Sequence, residues 1–138
     1  MAPLPNQDGK PRILISNRDY ERLSDLARGA LDRTPEVAEE LQNEMDRADI
    51  VPVAALPADT VRMGSTVAFR NGSDPRREVT LVFPGEADIA AGRISILTPI
   101  GTALIGLSAG QSIRFAARDG RERELTVLAV EQPGGTDR

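Results

Sequence analysis

Between Ile13 and Val51 the apolar residues recur with the period of a helix. Tyr20, Leu23, Ala27 and Ala30 share one face at i, i+3, i+7 and i+10, and Val37, Leu41, Met45 and Ala48 share another at i, i+4, i+8 and i+11. The spacing predicts two amphipathic helices of about four turns each. Their ends carry capping chemistry. Ser16 or Asn17 serves as N-cap of the first, with Asp19 placed like the acid of a capping box, and Gly29 stands where that helix should stop. Thr34 is the expected N-cap of the second, with Pro35 at its first position. A break of about five residues between two narrow apolar stripes makes the helices antiparallel neighbours, a short hairpin spanning 13–51.

From Met63 onward the period falls to two. Val67 and Phe69 alternate with Thr66 and Ala68, and Val79, Leu81 and Phe83 with Thr80 and Val82; "RISIL", "SIRFAA" and "RELTVLAV" follow, the last two joined through Asp119-Gly120, a two-residue hairpin signal. The expected fold class is therefore α+β, with a mainly antiparallel sheet of about five strands over 63–132 behind the helical hairpin. Residues 52–62, with Pro52 and Pro57, are the expected linker, and the Pro/Gly-rich ends 1–12 and 133–138 the expected tails.

One stretch breaks the strand pattern. "TPIGTALIGLSAG" contains Gly-x-x-x-x-Gly, the spacing of a phosphate-binding loop, but Leu107 stands where that loop needs lysine. The same residues make a capped helix: Thr98 as N-cap, Pro99 at the first position, Ile100, Ala103, Leu104 and Leu107 on one face, and Gly106 in the left-handed conformation just past the end. The helix is expected to plug the concave face of a curled sheet.

Composition narrows the chemistry. Among 138 residues there is no histidine, cysteine or tryptophan and one tyrosine, which removes hydrolytic triads, thiolate nucleophiles and zinc sites of the usual kind. The net charge of −4 lies in the first third: residues 1–51 carry seven basic and eleven acidic side chains, and 52–138 carry ten of each. Without clustered basic residues or aromatic platforms, the chain is a poor general nucleic-acid binder. "MAPLPNQDGKPR" has no leader-like apolar run and no segment approaches the ~18 apolar residues of a membrane span, so a cytoplasmic location is expected.

The run from Gly64 to Phe115 resembles the C-terminal domain of Gre-type transcript cleavage factors. It has a Gly-Ser-x-Val opening strand, a "PGEAD" loop ahead of "GRISILTPIG", an "ALIGL" helix and a "GQSI" turn. Gre-type factors join an antiparallel coiled coil to this FKBP-like domain, but about 13 residues per helix give a hairpin of roughly 20 Å here. A short hairpin on the same domain, with "ELQNEMDRADIV" leading into "LPADTVRMGSTVAFRN", resembles the regulators of nucleoside diphosphate kinase, the Rnk family.

The resemblance implies a monomeric regulator, without catalytic residues, cofactor or metal of its own. Its partner would be RNA polymerase, met at the rim of the secondary channel; a DNA-binding association comes with the family. The globular domain would dock around Pro99, Ile100 and Gly101, and the hairpin would point inward. In Gre-type factors tip acids help hold a catalytic Mg²⁺. Here the acids nearest the tip are Asp32 and Glu36, but the Asp-Leu-Ser-Glu tip is not reproduced and Pro35 interrupts it. Glu36 also suits the positive end of a helix without any such role. Two other functions follow from the same resemblance: active cleavage stimulation, and prolyl isomerisation. The latter uses an aromatic pocket, for which only Phe69, Phe83 and Phe115 are present, all at strand positions expected to face inward.

Overall fold

Ser16 starts the first helix as its neighbours require: its Oγ accepts the Asp19 N–H at 3.0 Å. In the computed structural model, which describes residues 11–116 and 119–132, α1 (Asn17–Ala30) and α2 (Pro35–Arg47) form the antiparallel pair. Leu23, Ala27, Leu41 and Met45 are buried at the predicted positions. Three details of the caps differ. α1 continues through Gly29 to Ala30, because Gly29 is not in the left-handed region and the turn is closed by Thr34 N–H on the Ala30 carbonyl at 2.8 Å. Thr34 makes no side-chain cap; its hydroxyl donates back to the Ala30 carbonyl at 3.3 Å. The Asp19 carboxylate leaves its own helix and accepts the Met63 N–H at 3.3 Å.

The hairpin's base is a pair of strands rather than helix. β1 (Leu14–Ser16) runs parallel to β2 (Asp49–Val51), with Leu14 opposite Asp49 and Ser16 opposite Val51. Arg12 Nε donates to the Asp49 carboxylate at 2.8 Å across this pair.

The remaining strands are β3 (Thr66–Asn71), β4 (Arg77–Val82), β5 (Arg93–Ser95), β6 (Ser112–Ala116) and β7 (Glu122–Glu131), in the order β5-β4-β3-β7-β6. All pairings are antiparallel except β4 with β5. The five expected strands are present, but burial is not a clean alternation: Ala68 is buried together with Val67 and Phe69 beside a bulge where β3 meets β7, and Val82 is also buried. Phe83 and Phe115 are only partly buried. The β6–β7 connection is longer than a two-residue turn, since the last register pair, Ala116 with Glu122, encloses residues 117–121; 117 and 118 lie outside the described residues.

One core joins the helices to the sheet. Ile13, Ile15, Leu23, Leu41 and Met45 belong to the same buried cluster as Val67, Phe69, Leu81, Leu104 and Leu125. The stretch expected to link the two parts ends inside that cluster. Thr60 and Val61 are buried, Val61 N–H bonds to the Leu107 carbonyl at 2.7 Å, and Gln132 Nε2 donates to the carbonyls of Ala58 and Thr60. A guanidinium completes the attachment: Arg22 of α1 lies 4.4 Å from the centre of the Phe83 ring. No helix among the described residues is long and apolar enough to cross a membrane.

Candidate docking groove beside the hairpin tip

The "TPIGTALIGL" segment forms α3 (Pro99–Leu104), capped as its sequence predicts: Thr98 Oγ1 accepts the Gly101 N–H at 3.0 Å and donates to the Ser95 carbonyl at 2.8 Å. Leu104 to Leu107 then make a tight turn, with Ile105 at φ −59, ψ 130 and Gly106 at φ +84, closed by Leu107 N–H on the Leu104 carbonyl at 3.1 Å. These are the angles of a type II turn, which calls for glycine at its third residue. A side chain there would also collide with Ile13, whose Cβ lies 2.7 Å from the site of a Gly106 Cβ.

The turn leaves nothing for a phosphate. The Gly106 N–H is held by the Val61 carbonyl at 3.0 Å, and the Ser108 N–H by Gln111 Oε1 at 2.8 Å. A phosphate loop needs such groups free, so the glycine spacing reports packing.

α3 and β6 face the N-terminal half of α2 across an open groove of about 910 Å³. Arg33 of the interhelical turn and Glu36, Val37 and Glu40 of α2 form one wall; Leu97, Pro99 and Ala103 form part of the opposite side, and Ile113, Arg114 and Phe115 of β6 complete it. Glu44 also lines the groove but is buried and paired with Arg47 at 2.8 Å, and Arg47 donates to the Pro11 carbonyl. At the far end, beyond Gly120, Asp119 accepts the Arg121 N–H at 3.0 Å and the Arg123 guanidinium at 2.9 Å; these bonds hold its carboxyl below the usual carboxylate range.

The five residues singled out in the sequence occupy different environments. Glu36 and Pro99 line the groove from opposite sides. Asp32 is exposed on the interhelical turn and is not part of that lining. Ile100 is partly buried against the core. Gly101 is buried, and its missing side chain is what lets α3 sit on the preceding loop, since a Cβ would come within 2.4 Å of the Ser95 carbonyl. Among the described residues no group of three or more carboxylates comes together as a metal site. Of the three phenylalanines, Phe69 is fully buried, Phe83 carries Arg22 on its face, and Phe115 alone lines the groove. Val37, Glu40 and Arg114 are not legible in the sequence as site residues, because what brings them to one groove with Phe115 is the packing of α2 on α3 and of α3 on β6, which no local spacing encodes.

Comparison with known proteins agrees with this architecture. The model of the GreA/GreB transcription elongation factor C-terminal domain matches residues 56–132, and that of the Rnk N-terminus matches residues 11–51. The chain is thus a regulator of the transcription-elongation-factor-related class. The regulator of nucleoside diphosphate kinase of Escherichia coli K12 is 36% identical over 123 residues, 88% of this chain and 90% of that one. The transcription elongation factor GreA of Rhodospirillum rubrum is 36% identical over 124 residues, 85% of this chain and 79% of the other. A solved prokaryotic elongation factor GreA/GreB from Nitrosomonas europaea is similar in structure, with a TM-score of 0.70 at 34% identity, covering 87% of this chain and 99% of that chain. The chain belongs to the regulator of nucleoside diphosphate kinase (Rnk) family.

Proposed function

We propose that this protein binds RNA polymerase at the rim of the secondary channel, competes there with Gre-type factors, and does not stimulate transcript cleavage. It acts as a monomer with no chemistry, metal or cofactor of its own. Family membership supports the partner, since its relatives include factors named for transcription elongation. The observation that carries the rest is the placement of the hairpin tip. Helices of 14 and 13 residues are about 20 Å long, and they share one buried core with the sheet, with Glu36 and Pro99 on two sides of one groove. A domain that docks through the region of Pro99, Ile100 and Gly101 therefore keeps its tip acids close to the docking surface. Ligation of Mg²⁺ requires contact near 2.1 Å, so a carboxylate left at the rim contributes nothing at the catalytic centre.

The test of docking is displacement of a fluorescent Gre-type factor from core polymerase. The wild-type protein should displace it, and the double variant Asp32→Ala, Glu36→Ala should do so with nearly the same midpoint, because docking is assigned to the globular domain. Failure of the wild type to displace the factor refutes shared docking; loss of displacement in the variant alone moves the contact to the tip.

A further inference from the structure

We infer that the groove between α2 and β6 takes an extended basic peptide that adds to the sheet as a strand beside β6. The inference goes beyond the polymerase reading and does not depend on it. Among the described residues β6 is the outermost strand of the sheet, paired only with β7. At its start Val127 N–H bonds to the Gln111 carbonyl, and Gly110 N–H to the Val127 carbonyl. The alternation of an antiparallel ladder then commits Ile113 and Phe115 to β7 and turns the N–H and C=O groups of Ser112, Arg114 and Ala116 to the open edge. Among the described residues none of those groups bonds to another segment.

An exposed edge of this kind is normally blunted by a covering element or a proline. Here, among the described residues, α2 stands back from β6 across the groove. The space of about 910 Å³ suits a segment of about five residues lying alongside the five-residue β6, roughly 17 Å long. Main-chain bonds give such a complex its affinity and alternate side chains its specificity.

The specificity follows from what the alternate residues meet. On the inner side they face α2, where exposed Glu36 and Glu40 stand on either side of partly buried Val37, with Leu97 and Phe115 opposite. Lysine or arginine fits both parts of this wall, its aliphatic stem on the apolar residues and its charge at the carboxylates. On the outer side the neighbour is exposed Arg114, a poor partner for a second row of cations, so the basic residues belong at every other position. Arg33 confines the acidic wall at the tip end.

The probe is a capped peptide with the repeat Lys-Thr-Lys-Thr-Lys, compared with Glu-Thr-Glu-Thr-Glu, titrated into the full chain while backbone amide NMR shifts are recorded. The lysine peptide should shift the amides of 112–116 and of 36–40, and the glutamate peptide should not. Arg114→Pro removes an edge N–H without touching the β7 ladder and should weaken binding at least about tenfold with the remaining spectrum retained. Glu36→Gln with Glu40→Gln keeps the edge intact and should weaken binding and flatten its dependence on salt. Equal binding of both peptides, binding of neither, or undiminished binding by Arg114→Pro overturns the inference. So does a concentration-dependent shift of 112–116 without peptide, which would show a second copy of the chain on that edge.

Discussion

Replacing glycine by alanine should have opposite effects at two helical positions, and the difference measures how tightly α3 is seated. At Gly101 an added Cβ would lie 2.4 Å from the Ser95 carbonyl oxygen and 2.9 Å from both the Ile96 Cα and Thr98 Oγ1. Two of the three obstacles are backbone, and the third is the capping hydroxyl, so none can swing aside as a flexible side chain would. Relief requires α3 to move away from the loop, which lengthens the 3.0 Å cap from Gly101 N–H to Thr98 and loosens buried Leu104. Overpacking costs ~1–3 kcal/mol and a lost cap ~1 kcal/mol, while alanine's helix propensity returns ~1 kcal/mol. The net expectation for Gly101→Ala is destabilisation by ~1–3 kcal/mol. At Gly29, in the last turn of α1, nothing lies within 4 Å of the added Cβ and the backbone is not left-handed, so Gly29→Ala should stabilise by ~0.5–1 kcal/mol. Thermal melts followed by circular dichroism, with ~4 °C expected per kcal/mol, resolve both signs. Wild-type melting of Gly101→Ala would refute the seating of α3 on the Ser95–Thr98 loop.

Other expectations follow from the same packing. Leu104→Ala, which empties a fully buried position, should cost ~2–5 kcal/mol in urea unfolding. Ser108→Ala should cost ~1 kcal/mol, because it strands the buried Thr60 hydroxyl now 2.9 Å from the Ser108 oxygen. Asp119 is held ionised by Arg121 N–H and by Arg123, and a carboxyl whose pKa is depressed by folding adds stability above its unfolded pKa and loses it as pH falls through the folded value. Asp119→Asn should therefore lower the urea midpoint at pH 7 and converge with wild type below the ordinary carboxylate range; a gap that persists in acid would contradict that assignment.

What could be read in the chain depended on the distance between the groups that decide each feature. The α3 cap, its glycine exit and the five strands follow from residues within a few positions of one another, and Thr98, Pro99 and Gly106 act as their spacing indicates. The end of α1 departs from the expected stop at Gly29 because glycine is only a frequent stop signal, and Gly29 is helical here. The attachment of the hairpin was not legible at all. Asp19 has the spacing of a capping-box acid, yet it bonds Met63, 44 positions away, and Arg22 finds Phe83 across the domain. The parallel pairing of β1 with β2 likewise joins segments separated by both helices, with only three residues on each side. Of the site, the sequence offers Glu36 as an acid near the tip and Pro99 only through the family resemblance, and the tertiary fold shows that they line one groove.

As proposed, the short hairpin leaves its acids at the channel rim. RNA cleavage in backtracked elongation complexes, measured with this protein alone and in competition with an active Gre-type factor, tests it directly. The protein alone should give no cleavage above the intrinsic rate, and it should suppress the Gre-type factor's cleavage as its concentration rises. Robust cleavage by this protein, abolished by Asp32→Ala with Glu36→Ala, would contradict it and place the tip at the catalytic metal.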